Sequence, residues 1–243
     1  MMKLQRKGIY LLPNILTLIS LYFGFKSIID SIDHQYIGAC QDIFISLVFD
    51  GLDGRIARLT NTQSHFGAEL DSLADMVSFG LAPSFMLYQY GLAPLGKVGF
   101  ILCFILTATT SLRLARFNSF QSKFDKRFFE GLPCPAAAGF IGASIWLIEF
   151  FKIKLFFQKE IFAFIALFLS VAMISSVPFL SFKVFDRSKI PLYGFMLLVV
   201  FFSLIALHPP IALFLIFFAY IFLQPLFFLV KKIRKKPVTD SHY

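Results

Sequence analysis

Along the chain, long apolar stretches alternate with short polar links. Stretches such as 161–180 and 190–207, at about 1.5 Å per helical residue, cross or nearly cross a hydrocarbon layer about 30 Å thick. Eight stretches of this kind succeed one another, at roughly 8–29, 37–59, 64–90, 95–117, 134–151, 160–180, 190–207 and 209–230. Each predicts a transmembrane helix. The third and fourth meet at Gly91–Gly96, and the seventh and eighth at His208-Pro209-Pro210, both rich in residues that break helices. Lys3, Arg6 and Lys7 precede the first stretch as they would in a secretory leader. Pro13, Asn14 and Thr17 interrupt it, however, and no small-x-small cleavage site follows, so it reads as an uncleaved span. The expectation is an all-α fold, a polytopic transmembrane bundle of about eight helices forming one domain over residues 1–243.

Composition agrees: 58% of the residues are hydrophobic and 34 are Phe, more apolar than a soluble domain of ordinary make-up. A net charge of +9 would suggest nucleic acid in a soluble protein. Here the basic residues sit in short links and at the tail, which suits topology and lipid headgroups and leaves no basic domain for nucleic acid. With the N-terminus inside, the inner links carry Arg55, Arg58, Lys123, Lys126, Arg127, Lys183, Arg187, Lys189 and the cluster 231–236. The outer side holds mainly Lys97, Lys152, Lys154 and Lys159, so both termini are expected in the cytoplasm. The basic tail reads as a cytoplasmic stop lying among anionic headgroups. Cys40, Cys103 and Cys134 match no zinc spacing and read as small helix residues. His34, His65, His208 and His242 are scattered, and Glu149 reads as a solvated end residue.

Ionisable residues inside a membrane are costly and call for a reason. The densest group lies in the second and third stretches: Asp50, Asp53, Arg55, Arg58, Glu69, Asp71 and Asp75. Asp50, Asp53, Gly54, Ala57 and Arg58 recur at helical spacing, within an arc of about 140° on one face. Gly67, Asp71 and Asp75 follow at steps of four, again on one face, and the short 60–64 link makes the two helices antiparallel neighbours. Four carboxylates can then converge near the cytoplasmic ends of both helices. Unpaired, they would repel one another, and hard divalent cations such as Mg²⁺, Mn²⁺ or Ca²⁺ remove that repulsion. A metal pair among carboxylates serves phosphoryl transfer by stabilising the attacking and leaving oxygens. Gly54, Ala57 and Gly67 leave backbone open to a bulky group, and Arg58 can pair with phosphate. A cation pathway is the rival reading of the same carboxylates.

The segment Asp50-Gly-Leu-Asp-Gly-Arg-Ile-Ala-Arg58, followed by Gly67, Asp71 and Asp75, resembles the signature of the CDP-alcohol phosphotransferases, D-x-x-D-G-x-x-A-R-x8-G-x3-D-x3-D. All eight fixed positions match without a gap. The resemblance implies that Asp50, Asp53 and Asp71 hold two divalent metals, Mg²⁺ or Mn²⁺. It makes Asp75 the general base, touching a metal as well, and places Gly54, Ala57 and Arg58, with Asp50 and Gly67, at the CDP site. Further stretches resemble bacterial phosphatidylserine synthases: Pro13-Asn14-Ile-Leu-Thr17 with Gly24, Arg113-Leu-Ala-Arg116-Phe-Asn118, Phe129-Glu-Gly131-Leu-Pro133-Cys-Pro135, and Ser175-Ser-Val-Pro178 with Ser181-Phe-Lys183. They extend from about residue 10 to 185, and Ser20 stands where that family often has Asn.

That resemblance implies transfer of a phosphatidyl group from CDP-diacylglycerol to L-serine, in a homodimer of the cell inner membrane with the site facing the cytoplasm. Arg113, Arg116 and Asn118 become candidates for serine or phosphate, since two guanidinium groups near an anionic pocket suit phosphate or carboxylate. Their plainer role is positive-inside anchoring. Gly131-Leu-Pro133-Cys-Pro135 predicts a rigid turn into the fifth span. Another acceptor, glycerol 3-phosphate or an inositol compound, is the alternative within the family, and a cation transporter is the alternative outside it.

Overall fold

The computed structural model of the protein describes residues 2–120, 128–175, 178–180 and 207–234. Helices α1 (Met2–Ile32) and α2 (Tyr36–Leu59) form the first hairpin, joined by a tight turn in which His34 has a positive φ of 58°. Next come α3 (His65–Asp75), a π-helical turn at Met76–Leu81, α4 (Ala82–Leu87), a second π turn at Tyr88–Leu92 and a 3₁₀ turn at Ala93–Leu95. Helices α5 (Lys97–Phe120), α6 (Cys134–Phe151), α7 (Gln158–Ile174) and α8 (Pro209–Arg234) complete the described chain. A small antiparallel ladder pairs β1 (Phe128–Glu130) with β2 (Pro178–Leu180).

The expected helical bundle is present, and four details correct the sequence reading. The third stretch is not one regular α-helix. Pro83 and Pro94 lack the N–H that the carbonyl four residues back requires, and just before each of them the ladder shifts to bonds spanning five residues. Ala82 N–H thus donates to the Val77 carbonyl, and Ala93 N–H to that of Tyr88. Both π turns end in the same tetrapeptide, Gly-Leu-Ala-Pro, at 80–83 and 91–94. The sixth stretch stops at Ile174, short of 180, because Pro178 cannot continue a helix and disfavours helical backbone before it. Residues 178–180 pair as a strand with 128–130, so among the described residues the helices are joined by one short ladder. Glu149 is half-buried and lies near Tyr90, rather than standing free in solvent. The seventh stretch, 190–207, lies almost wholly outside the described residues.

Among the described residues, three helical segments are long and apolar enough to cross a membrane: Leu11–Ile32, Lys97–Ser119 and Cys134–Phe151. Pro209–Leu223 is a shorter apolar helix. The exterior is correspondingly oily. Tyr22, Leu73, Phe100, Phe104, Phe164 and Val171 are each more than 60% exposed, an arrangement that suits lipid and that water would penalise. These features mark an integral membrane protein.

Inside the bundle, α6 forms the core, with a continuous buried run from Ala136 to Ile145. It packs on α2 on one side and on α8 on the other, where the Phe217 ring occupies the space a side chain at Gly139 would need. Helix α1 is the spine. It packs along α2 and also touches α3, the first π turn and α4. Hydroxyl groups tie these elements together, as small polar residues do between membrane helices. The Ser20 carbonyl accepts bonds from Ser46 Oγ at 3.0 Å and Ser78 Oγ at 3.2 Å, and the Ser20 and Ser46 hydroxyls lie 2.8 Å apart. Ser20, the position that departs from the related pattern, therefore joins α1, α2 and the π turn. Further along, Lys26 donates to Asp30 Oδ2 at 2.8 Å and to the buried Asp42 Oδ2 at 2.7 Å. The same hairpin carries its own counter-charges at that depth.

At Gly24 the π turn comes so close that an added Cβ would lie 2.6 Å from Ser78 Cα. Gly24→Ala is therefore expected to destabilise the protein by about 1–3 kcal/mol through overpacking. The expected result is a lower thermal unfolding midpoint in detergent.

Candidate active site

Helix α2 carries Asp50, Asp53, Gly54, Ala57 and Arg58 in its last three turns, and α3 carries Gly67, Asp71 and Asp75 along one face. The link between them ends in a local cap. Ser64 has extended backbone, and its Oγ accepts the Gly67 N–H at 3.0 Å, which starts α3 just before the second signature glycine. The two helices are joined by that short link, yet they pack little against each other. Each rests instead on α1. The carboxylates meet across the resulting cleft.

Asp50, Asp53 and Asp71 each present one oxygen such that all three lie within 4.8 Å of one another. Asp53 is the buried member, at 4% exposure, while Asp50 and Asp71 are half-buried. Asp75, the last residue of α3, stands beside this set with its carboxyl against Asp50 and close to Asp71 and Asp53. Two oxygens on one hard divalent cation, each at 2.0–2.6 Å, lie at most about 5 Å apart. The spacing and the all-oxygen donor set therefore fit such an ion. They do not fit a zinc site built on Cys and His.

Around the carboxylates, Arg58 folds back over Gly54, whose missing Cβ would sit 3.5 Å from Arg58 Nη1. Ala57 is half-buried on the same face. Across the cleft, a Cβ at Gly67 would lie 3.1 Å from Ser64 Oγ and 3.2 Å from Asn14 Oδ1. Bare backbone thus faces the opening from both helices, with polar oxygens around it.

The α5 residues diverge. Arg113 Nη1 donates to Cys134 Sγ at 3.3 Å, while its Nε is buried and has no hydrogen-bond partner among the described residues. Cys134 opens α6 close to Asp75 and Asp50, which puts the Arg113 guanidinium on the flank of the carboxylate set. Arg116 instead reaches the Ile174 carbonyl at the end of α7, at 3.5 Å. Asn118 Nδ2 donates to Ser72 Oγ at 2.9 Å, on a different face of α3 from Asp71 and Asp75. It lines a groove of about 220 Å³ with Glu69, Leu73, Met76, Ser111 and Leu114. Of the three α5 candidates, Arg113 is the one whose contact with Cys134 puts it on the side of the acids.

The family model that matches the chain is the CDP-alcohol phosphatidyltransferase model, aligned over residues 10–182. The chain belongs to the CDP-alcohol phosphatidyltransferase family. A relative from Helicobacter pylori (strain ATCC 700392 / 26695), named CDP-diacylglycerol–serine O-phosphatidyltransferase, is 36% identical over 231 residues, 94% of this chain and 96% of its own. One of the same name from Mycobacterium bovis is 39% identical over 140 residues, 55% of this chain and 49% of its own. An archaetidylserine synthase from Methanothermobacter thermautotrophicus is 34% identical over 170 residues, 69% of each chain. These matches bear out the resemblance read from the signature, and the family model ends before α8.

Two side chains that carried no role in the sequence reading stand at the site. Thr17 Oγ1 donates to Asp53 Oδ2 at 2.6 Å, and Asn14 meets Gly67. Their signal was the Pro-Asn-x-x-Thr segment, which sets both residues on one face of α1. The Gly-Leu-Pro-Cys turn is also built for this place. Gly131 has φ +79°, and a Cβ there would overlap the Met173 carbonyl and lie 2.9 Å from that of Ser175. The next residue, Leu132, donates its N–H to the Ala172 carbonyl at 3.0 Å. The turn caps the end of α7 and aims the start of α6, with Cys134, at Arg113.

Gly131→Ala combines a left-handed backbone with that overlap. It is expected to cost more than the 1–2 kcal/mol usual for a side chain in this conformation, read as a lowered thermal midpoint in detergent.

Proposed function

We infer that the chain transfers the phosphatidyl group of CDP-diacylglycerol to L-serine, forming phosphatidylserine and releasing CMP. The observation that carries this reading is Asp75 standing against the Asp50, Asp53 and Asp71 set, with the Arg113 guanidinium on its flank. Two divalent cations, Mg²⁺ or Mn²⁺, held by these four aspartates, would supply neutralisation of the diphosphate and of the charge that develops during transfer. Gly54, Ala57 and Gly67 leave room for the nucleotide on the backbone, Arg58 pairs with phosphate, and Asp50 borders both groups. Asp75 takes the proton of the serine hydroxyl. The serine oxygen then attacks the lipid-side phosphorus, and the bond from that phosphorus to the CMP oxygen breaks. Arg113 binds the serine carboxylate through donors that the protein itself satisfies poorly. Arg116 and Asn118, already bonded to α7 and α3, hold the framework around it.

The same reading places eight spans across the cell inner membrane, both termini in the cytoplasm, and the site at the cytoplasmic face of a homodimer. It is supported by the concentration of basic residues in the links on that side. Serine and CMP then exchange through water while the acyl chains stay in lipid.

Purified protein in detergent, given CDP-diacylglycerol with Mn²⁺ or Mg²⁺, is expected to release CMP with L-serine and not with glycerol 3-phosphate or inositol. Release only with another alcohol would overturn the serine assignment. Release with none, from folded protein, would favour cation transport. Asp75→Asn is expected to slow CMP release about 10²- to 10⁴-fold, the usual worth of a positioned base, with Mn²⁺ still bound. Arg113→Lys is expected to raise KM for serine about 10- to 100-fold, the equivalent of a lost charged hydrogen bond, without changing KM for CDP-diacylglycerol. Equal changes in both constants would show that Arg113 acts on the framework instead.

A further inference from the structure

Among the three clustered carboxylates, Asp53 is the one enclosed by protein, and the residue that meets it comes from a helix outside the signature. Thr17 on α1 and Asp53 on α2 are each 4% exposed. Thr17 Oγ1 donates to Asp53 Oδ2 at 2.6 Å, a short hydrogen bond of the charge-assisted kind. The hydroxyl has a single proton and a second acceptor in reach, the Pro13 carbonyl at 3.1 Å. The shorter contact to a carboxylate takes that proton. Threonine is branched at Cβ and its χ1 is confined within a helix, so the hydroxyl is held in place before any ligand arrives. One turn earlier on the same face, Asn14 lies against Gly67 of α3. Residues 14 and 17 of α1 therefore form a ledge that touches both helices carrying the acids.

We propose that Thr17 is a positioning residue for the metal centre: its hydroxyl fixes Asp53 through Oδ2 and leaves Oδ1 to face the shared space among Asp50, Asp53 and Asp71. This rests on the reading of those carboxylates as cation ligands, but not on the identity of the acceptor alcohol. Without the hydroxyl, the Asp53 carboxylate would lose the bond that holds its Oδ2, and the ion would have to order it on binding.

The experiment is Mn²⁺ binding to purified full-length protein in detergent, read as loss of the free-ion signal in electron paramagnetic resonance, with no lipid or serine present. Thr17→Val keeps the shape and removes the hydroxyl. It is expected to weaken Mn²⁺ binding about 10- to 100-fold, the usual effect of losing a group that orients a metal ligand. Thr17→Ser, which keeps the hydroxyl, is expected to bind within a few-fold of the parent. Unfolding midpoints without metal separate a lost hydrogen bond from a lost fold. Equal affinity in Thr17→Val and the parent would overturn the proposal, as would a Thr17→Ser protein that folds yet binds as weakly as the valine variant. A parent protein that binds no Mn²⁺ would overturn it together with the metal reading. Parent protein that binds Mn²⁺ but fails to use serine would leave it standing while the acceptor assignment falls.

Discussion

Carboxylates brought within a few ångströms of one another in an apolar bundle repel, and the repulsion acts through a medium that screens it poorly. A bundle held only by oily contacts would relax by parting the two helices that carry them. The short 60–64 link prevents separation at one end, but it cannot set the spacing along the rest of the cleft. That task falls to α1. It lies along α2, touches α3, and presents Thr17 to Asp53, the buried member of the cluster. The repulsion is thus contained by a third helix, and a cation bound in the cleft would convert it into attraction.

The rest of the hairpin follows from the same need. A helix that sets the distance between two others has to be fixed in register, and lipid gives little drive for helices to associate. Fixed points therefore replace area. Ser20 bonds to Ser46 and Ser78, Gly24 admits the backbone of Ser78, and Lys26 spans Asp30 and Asp42. Ser20 and Gly24 follow Thr17 at steps of three and four, so one face of α1 carries both the site and much of the register, while Lys26 anchors the opposite face. On the far side, the Gly131 turn uses the exposed carbonyls at the end of α7 to fix the start of α6. Cys134 and Arg113 thereby hold their places beside the acids.

Much of this was legible in the chain. Apolar length gave the helices, and the spacing of Asp50, Asp53, Asp71 and Asp75 gave the cluster, because helical periodicity is a local property. The segments after Pro133 and before Pro178 announced a start and a stop, although the stop was read several residues late. What the sequence concealed depends on distance between helices. Thr17 looks like any hydroxyl in an apolar run until the structure brings Asp53 to it from 36 positions away. Arg113, Arg116 and Asn118 look equivalent, yet five residues of helix turn through more than a full circle. They face Cys134, the end of α7 and Ser72 respectively. The cleft between α2 and α3 was hidden for the same reason: a short link implies neighbours, and only the third helix shows how far apart they stand.

The π turn after Asp75 has a place in this economy of positions. A regular helix running on through Pro83 would leave the Phe79 carbonyl without a donor in a region where no water can supply one. Widening the turn lets Ala82 reach back to Val77, and the Ser84 hydroxyl takes up the Gly80 carbonyl at 2.7 Å. The added residue per turn also rotates everything beyond Asp75 relative to everything before it. As a result, α3 can aim Asp71 and Asp75 at the cleft while the π turn places Ser78 against Ser20 and Gly24, and Gly80 against Thr110 of α5. A straight helix has one face toward α1 along its whole length. This one spends its first three turns facing the acids across the cleft and the following turns locked into the bundle. The proline that broke the expected pattern therefore sets the π turn, and with it the Ser78 and Gly80 contacts that follow directly after Asp75.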